Sequence, residues 1–418
     1  GVDEMSWDDT ESSHYQWPSV EATREYRSKV KELVLNLIDT LPLTLPIAWD
    51  SSMWVILMGI EHEKIHLETS SVLHRQMPLE YIKDIAEFKV CDYYGEAPTN
   101  ELVKIPACEV TLGKSHPDVH YGWDNEYGEH KERVESFEVG KYLVSNAEYI
   151  DFVEAGGYTN MDYWSEEGQK FLADSKALHP VFWVPDNGTF LYRTLSSVVE
   201  MPLDFPVDVN ALEAEAFCKY KSIKDGVTYL LPSETEYEAL CQFSNVNELV
   251  TSENANVNFH YASATPVNTY DFNGVFDVVG NVWQHSRTLM HPLDGFKVHP
   301  AYDDFTVPTF DDKHSLILGS SWASTGNLIM KKSRYAFRKH FYQHAGFRYV
   351  ITNKNKEEKM DIYETDELAS QYCEFQYGDT HFGVANFAIE CARVASKFAV
   401  NTTKALDLGC ATGRATFE

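Results

Sequence analysis

The sequence predicts a multidomain α+β protein, because three stretches of different character follow one another along the chain. Apolar residues recur at helical spacing over residues 18–41 and 53–73. From about residue 101 the chain is rich in Gly, Trp, Tyr and Asp and has short alternating strands. Near its end it has the pattern of a strand, a Gly-rich turn and the start of a helix. We expect three domains, at residues 1–95, 101–352 and 360–418.

Composition restricts the class of protein and its partners. With 44% hydrophobic and 13% aromatic residues, the chain can bury sizeable cores. A net charge of −29 argues against nucleic acid and anionic membranes as partners. No apolar run reaches the roughly 18 residues that a membrane span needs. The 7 cysteines are scattered without a Cys-x-x-Cys pair, which favours a reducing compartment, and we expect the cytoplasm.

The stretch that points most directly to chemistry is the predicted helix of residues 53–73, which Asp50 or Ser51 can cap. His62 and His66 lie one turn apart, about 40° from each other around the helix axis. Two imidazoles in this arrangement can hold a metal ion from one side. They are our predicted metal ligands.

Glu68 lies on a different part of the same helix, about 160° from His66. We therefore expect it to orient a neighbouring group rather than to bind the metal. The histidine spacing alone is weak support, since 16 histidines in 418 residues give roughly 0.6 such pairs by chance. Two histidines packed inside a helical core would show the same spacing, so that alternative stays open here.

Other elements follow from similar patterns. Ser19 is a suitable N-cap for the first helix, and residues 79–88 have the pattern of a third, shorter helix. In the middle domain, residues 135–144 alternate as a strand does, and Ser233 with Glu236 forms a capping-box signature. The helices expected there are residues 146–154, 210–221 and 233–243.

The middle domain resembles the formylglycine-generating-enzyme-like domain, which has a C-type-lectin-like fold. Formylglycine-generating enzymes themselves use a cysteine pair late in the domain, and no cysteine lies between Cys241 and Cys373. That activity is therefore not expected. The segments that carry the resemblance are residues 105–107, 112–113, 122–130, 144–149, 231–237, 280–283, 319–322 and 345–348.

His62, His66 and Glu68 resemble the His-x3-His-x-Glu motif of the iron(II) sulfoxide synthases of thiohistidine biosynthesis. The resemblance implies a partial DinB-like helical bundle at residues 1–95, with Fe(II) bound by the two histidines. The family has a third histidine ligand, which we expect upstream of Gly1, so that the chain would be an internal fragment of a longer enzyme. His14 is the only nearby histidine, and we expect it to lie at the surface or in packing.

Two types of sulfoxide synthase are relevant. Residues 5–9, 14–18 and 65–71 resemble the ovothiol type, which makes 5-histidylcysteine sulfoxide, and the ergothioneine type is the alternative. Residues 406–413 resemble motif I of a Rossmann-like S-adenosylmethionine-dependent methyltransferase, a domain that the ovothiol type carries. This resemblance implies that the methyltransferase domain begins here and that its cofactor contacts are Asp407, Gly409 and Gly413.

The resemblance also implies a mechanism with cysteine, histidine and O2 as small-molecule substrates. The cysteine sulfur would be joined to the imidazole ring and oxidised to a sulfoxide. Such chemistry needs a proton donor near the iron, and Tyr302 is the residue that the resemblance suggests. Arg334, Arg338 and Arg348 are candidate partners for substrate carboxylates, although we expect Arg348 to support the fold.

Two other classes of protein compete with this interpretation. Residues 62–66 also satisfy His-Glu-x-x-His, the motif of zinc metalloproteases, with Glu63 as general base and Glu80 or Glu87 as a third ligand. The third possibility is a non-catalytic binding module, because C-type-lectin-like folds often bind ligands without performing chemistry.

Overall fold

The computed structural model describes residues 17–302, 305–352, 380–381 and 384–385. Its contacts divide the chain into two compact units, Gly1–Asn353 and Lys354–Glu418. None of the helices in the described ranges combines the length and apolarity that a bilayer span requires. The predicted site residues and the predicted surface histidine that lie outside the described residues are His14, Asp407, Gly409 and Gly413.

The two helices predicted near the start of the chain are confirmed. Helix α1 is Val20–Thr40, and the Ser19 side chain accepts a hydrogen bond from the Ala22 amide at 3.1 Å. Helix α2 is Ser52–Gln76, and of the two candidate caps it uses Ser51, which accepts from the Trp54 amide at 3.3 Å. Each cap satisfies an amide that the first turn of a helix would otherwise leave without a partner.

The prediction of a helix at residues 79–88 is wrong. Only Leu79–Tyr81 forms a turn of 3-10 helix, and the chain then runs along the middle domain without regular structure. There the Ala262 amide donates to the Lys89 carbonyl at 2.7 Å, and the Phe88 and Phe259 rings stack with centroids 5.4 Å apart. Contacts with the middle domain therefore replace the helical hydrogen bonds that the local pattern favours.

The middle domain mixes helices with short strands, as predicted. Its helices are α3, Asn146–Glu154; α4, Glu166–Ser175; α5, Ala211–Asp225; and α6, Glu234–Phe243. Its strands are β1, Leu102–Ile105; β2, Cys108–Leu112; β3, His130–Val134; β4, Phe137–Gly140; β5, Trp183–Asp186; β6, Thr189–Arg193; β7, Val198–Glu200; β8, Asp271–Phe272; β9, Val275–Phe276; β10, Trp283–Leu289; β11, His314–Leu318; β12, Tyr335–Arg338; β13, Ala345–Gly346; and β14, Val350–Ile351. In the second unit, β15 at Thr380–His381 pairs antiparallel with β16 at Val384–Ala385.

The boundaries of these elements follow their caps and pairings. The three predicted helices correspond to α3, α5 and α6, whereas α4 was not predicted. The capping box of α6 is confirmed, since the Ser233 amide donates to Glu236 at 2.9 Å and the Glu236 amide donates to Ser233 at 3.1 Å. Only Phe137–Gly140 of the strand predicted at 135–144 pairs as a strand, against β1 and β14.

The largest sheet of the described residues has four strands, in the order β12, β11, β10, β13. Strand β10 pairs antiparallel with β11 and parallel with β13. Arg348, which follows β13, is fully buried and donates to the Gln284 side chain at 2.6 Å and to the carbonyls of Gly140 and Phe276 at 3.0 and 2.8 Å. Burial lowers the pKa of this guanidinium to about 10. Arg348 thus joins separate segments of the fold, as the sequence led us to expect.

Candidate metal centre

Helix α2 faces the middle domain with a stripe that carries buried charged residues beside the apolar Met58 and Val72, and we call it the polar stripe. Trp54, Glu61, Glu68 and Arg75 follow one another at intervals of seven residues and are all buried. Seven residues make almost two helical turns, so these four side chains lie along one side of the helix. Buried carboxylates and guanidinium groups require partners, and each of the three charged residues has them.

Glu68 makes the central contact of this stripe. Its carboxylate accepts hydrogen bonds from the indole nitrogen of Trp283 at 2.7 Å, from the Ser324 hydroxyl at 2.8 Å and from the Ser321 hydroxyl. Burial raises the pKa of Glu68, and the three donors oppose that effect. Trp283 and Ser321 belong to two of the segments that suggested the fold from sequence. Glu68 therefore attaches α2 to the middle domain.

Glu61 makes a second attachment one heptad earlier. Its carboxylate accepts from the Asn327 amide at 2.7 Å and pairs with Lys64 at 2.8 Å. Gly326 has φ of +63°, and a Cβ atom there would overlap the side chains of Glu61 and Lys64. Glycine at this position thus permits the close approach of the middle domain to α2.

The two predicted metal ligands lie beside this stripe. The imidazole rings of His62 and His66 are edge to face, with centroids 4.5 Å apart. His62 is half-buried, and burial lowers its pKa, with a further lowering from His66 and an opposing effect from Glu63. A lowered pKa favours the neutral imidazole, which is the form that binds metal ions.

Both histidines line a cavity of about 540 Å³ between α2 and the middle domain. Such a volume suits a small-molecule ligand. Aromatic side chains form part of the rest of its wall, and they suit the packing of an imidazole ring. The aromatic residues of the wall are Phe305, Tyr335, Phe337, Phe341 and Tyr342.

Tyr302, the predicted catalytic residue, lies next to His62. Its hydroxyl is 3.3 Å from His62 Nε2, and the centroids of the two rings are 5.6 Å apart. The fold brings the two residues together across 240 positions of sequence. Tyr302 is thus near enough to act on a group held by the histidines, and its role in catalysis stays a prediction.

The candidate arginines differ in what they can offer to a substrate. Arg334 contacts the cavity, but it is buried and donates to Glu234 at 2.6 and 3.1 Å and to the carbonyls of Asn125 and His291. Four of its five N–H groups are therefore engaged within the protein. Arg338 is half-buried on β12. Sequence alone could not reveal the partner of Arg334, because Glu234 is 100 residues away.

In the described part of the chain, Glu80 and Glu87 do not join His62 and His66 in the ligand set expected for a zinc hydrolase. Glu80 and Glu87 are exposed, and the described part of the chain contains no group of three or more His, Cys, Asp and Glu residues that could hold a metal ion. Within those residues, His62 and His66 offer two protein ligands and no third. Among the described residues, the structure gives no support to Glu80 or Glu87 as a third ligand.

Sequence reasoning missed the polar stripe of α2. A signal was present, because a buried helix face is usually apolar, whereas Glu61, Glu68 and Arg75 recur at a helical interval on this one. Charged residues repeated every seven positions indicate either a solvated face or an interface with matched partners. Here the second interpretation is the correct one.

Comparison of the sequence with known protein families supports the domain type predicted for the middle domain. The family model described as the sulfatase-modifying factor enzyme 1-like domain matches residues 88–353. This match confirms the predicted formylglycine-generating-enzyme-like domain.

Several curated proteins are similar to the chain over longer stretches. Hercynine oxygenase of Mycobacterium tuberculosis is 27% identical over 319 residues, covering 72% of this chain and 70% of that protein. Ergothioneine biosynthesis protein 1 of Neurospora crassa is 24% identical over 405 residues, covering 76% of this chain and 45% of that protein. The formylglycine-generating enzyme of Bos taurus is 26% identical over 249 residues, covering 51% of this chain and 62% of that protein.

We predict that Glu68→Gln lowers the free energy of unfolding by about 2–3 kcal/mol, because an amide N–H₂ would face donors that now bind a carboxylate. Urea unfolding followed by tryptophan fluorescence measures this loss. The matched control is Glu63→Gln on the same helix, where the side chain is exposed and the change should stay within about 0.5 kcal/mol. Equal stability of the two variants would show that the contacts of Glu68 do not hold α2.

Proposed function

The chain belongs to the family of sulfatase-modifying factor enzyme 1-like domains, and we propose that it is an iron(II) sulfoxide synthase within that family. Such an enzyme uses O2 to join the sulfur of a thiol to an imidazole ring and to oxidise the sulfur to a sulfoxide. The observation that carries this proposal is the pair His62 and His66 on the wall of a partly aromatic cavity, with the Tyr302 hydroxyl beside His62. The names of the hercynine oxygenase and ergothioneine biosynthesis relatives support it.

Iron(II) fits the donor set of the cavity. His62 and His66 would hold a divalent first-row metal from one side, and a site with few protein ligands would stay accessible to substrate and O2. Burial lowers the pKa of His62, which favours the neutral imidazole that a metal ion needs as its ligand. When bound, iron supplies the redox chemistry that activates O2.

The protein's own residues would orient the substrates and supply a proton. Aromatic rings of the cavity wall, such as Phe305 and Phe337, can pack against an imidazole substrate and exclude water from the reacting atoms. The Tyr302 hydroxyl, at 3.3 Å from His62 Nε2, can donate a proton to a group held beside that histidine. Proton delivery at this point would favour C–S bond formation over further oxidation of the thiol.

Two compounds, hercynine and histidine, are candidates for the imidazole substrate. The relatives favour hercynine, the trimethylated form of histidine, and so support the ergothioneine type better than the ovothiol type. The aromatic rings of the cavity wall support hercynine, because such rings can accept a quaternary ammonium group. Histidine stays the second candidate, on the ovothiol-type resemblances of residues 5–9, 14–18, 65–71 and 406–413.

The proposal is tested with the full-length protein, loaded with Fe(II) and supplied with O2, cysteine or γ-glutamylcysteine, and either hercynine or histidine. We expect O2 uptake and a C–S-linked sulfoxide, identified by mass spectrometry, with hercynine as the faster substrate. Faster turnover of histidine would instead identify the ovothiol type. Absence of a C–S-linked product with both imidazoles would refute the proposal.

A control with the same protein separates metal binding from folding. His62→Ala should lose stoichiometric iron and O2 uptake, whereas its circular dichroism should match that of the parent, because His62 is only half-buried. Retention of iron by this variant would remove His62 from the ligand set.

Replacement of Tyr302 by Phe tests the proton donor, since it removes the hydroxyl and keeps the ring that packs near Trp123 and Phe305. Loss of one general acid typically slows the step that it serves by about 10²–10⁴-fold. We expect O2 consumption to continue and the product to shift from the C–S-linked sulfoxide towards cysteine sulfinate. Product ratios from mass spectrometry decide the matter, and an unchanged rate and ratio would make Tyr302 a packing residue.

A further inference from the structure

A buried histidine joins the C-terminal half of α2 to the middle domain. The His344 ring is fully buried, with Nε2 at 2.7 Å from the Ser71 hydroxyl and Nδ1 at 3.2 Å from the Arg75 guanidinium. The Trp322 ring also packs against it, with the two ring centroids 4.2 Å apart. His344 does not line the cavity, although the preceding Gln343 does, and it takes no part in the mechanism described above.

The chemistry of these partners determines the direction of each hydrogen bond. A guanidinium can only donate, so His344 Nδ1 must accept from Arg75. The remaining ring nitrogen, Nε2, then carries the hydrogen and donates to Ser71 Oγ. The Ser71 hydroxyl in turn donates to the Glu68 carbonyl at 2.6 Å. One tautomer of His344 therefore satisfies all three bonds.

The Arg75 guanidinium, which donates to His344, is itself held by several other contacts. Its guanidinium pairs with Asp208 at 3.1 Å, donates to the Arg193 carbonyl at 2.8 Å and lies 3.7 Å from the centroid of the Phe182 ring. Arg193 donates back to the Arg75 carbonyl at 3.1 Å. Burial lowers the pKa of His344 well below its ordinary value, and the Arg75 charge adds to this effect, so the ring keeps a single hydrogen.

We propose that His344 is a positioning residue: its ring, on the middle domain, accepts from Arg75 and donates to Ser71 of α2, and together with the contacts of Glu61 and Glu68 it sets the rotation of α2 about its axis. That rotation decides the direction in which His62 and His66 project into the cavity. This inference rests on the proposed function, since it assigns His344 a role in the geometry of the proposed metal centre.

The positions of the His62 and His66 side chains are sensitive to the rotation of α2. A rotation of about 20° moves an atom near the helix surface by about 2 Å, because the radius with side chains is about 5–6 Å. Catalytic groups need placement within about 0.5 Å, and a misplacement of about 1 Å can cost about 10²-fold in rate. An isolated apolar contact would not fix the rotation, whereas hydrogen bonds depend on direction.

The test measures metal binding without turnover, in the full-length protein with Co(II) as a spectroscopic substitute for Fe(II). His344→Leu should weaken Co(II) binding by about tenfold or more, as loss of an outer partner of a metal site typically does, and should alter the Co(II) absorption spectrum. His344→Gln, whose amide N–H can still donate to Ser71, should recover most of the affinity and the parent spectrum.

Two further variants keep the test decisive. His285→Leu is the matched control, because His285 is also buried but its Nε2 bonds the Val209 carbonyl at 2.8 Å. It should lower stability by a similar amount and leave Co(II) binding unchanged. Ser71→Ala removes only the hydroxyl and should reproduce the effect of His344→Leu on Co(II) binding, even where the leucine variant does not fold.

The outcomes distinguish the positioning role of His344 from the proposed metal centre at His62 and His66. Parent-like Co(II) affinity and spectrum in both His344→Leu and Ser71→Ala would overturn the positioning role and leave the metal centre intact. Parent-like Co(II) binding by His62→Ala would instead overturn the metal centre itself. If His285→Leu weakens Co(II) binding as much as His344→Leu does, the effect is one of general stability, and the positioning role is likewise overturned.

Discussion

The carboxylate of Glu68 is the contact on which the arrangement of the candidate site depends. It is buried, and three donors from two separate segments of the middle domain, at Trp283, Ser321 and Ser324, converge on it. A carboxylate removed from water in this way is tolerated only while its donors stay in place. Helix α2 can therefore dock on the middle domain in this orientation at little cost, whereas other orientations leave a buried carboxylate and several donors without partners.

The remainder of the interface follows the same logic. Glu61 and Arg75, one heptad to each side of Glu68, have their own partners in the middle domain at Asn327 and Asp208. Apolar packing is not directional, but three polar attachments along one side of a helix specify its position and its rotation. The adjacent side of α2 then faces the cavity. This explains how two histidines on a helix and a tyrosine on a distant loop come to lie together.

Features that depend on local sequence were predictable. Both long helices, the Ser19 cap and the capping box of α6 involve residues within four positions of each other, and patterns of cap and period describe such contacts well. The short turn at Leu79–Tyr81 and the engagement of Arg334 by Glu234 were not predictable, because their causes lie far away in sequence. Tyr302 was selected by resemblance, since no local pattern connects it with His62. The docking of α2 shares this difficulty, because Glu68 and Trp283 are 215 positions apart.

Native-state hydrogen exchange tests most directly whether the polar stripe makes α2 an integral part of the domain. The account predicts that the amides of residues 61–75 exchange with the same opening free energy as those of β10 and β11, because α2 cannot leave without exposing buried charged groups and their partners. Residues near the start of α1, whose side chains are exposed, should exchange more readily and serve as an internal reference. If residues 61–75 instead open at a free energy as low as that of α1, while β10 and β11 stay protected, the central claim is contradicted.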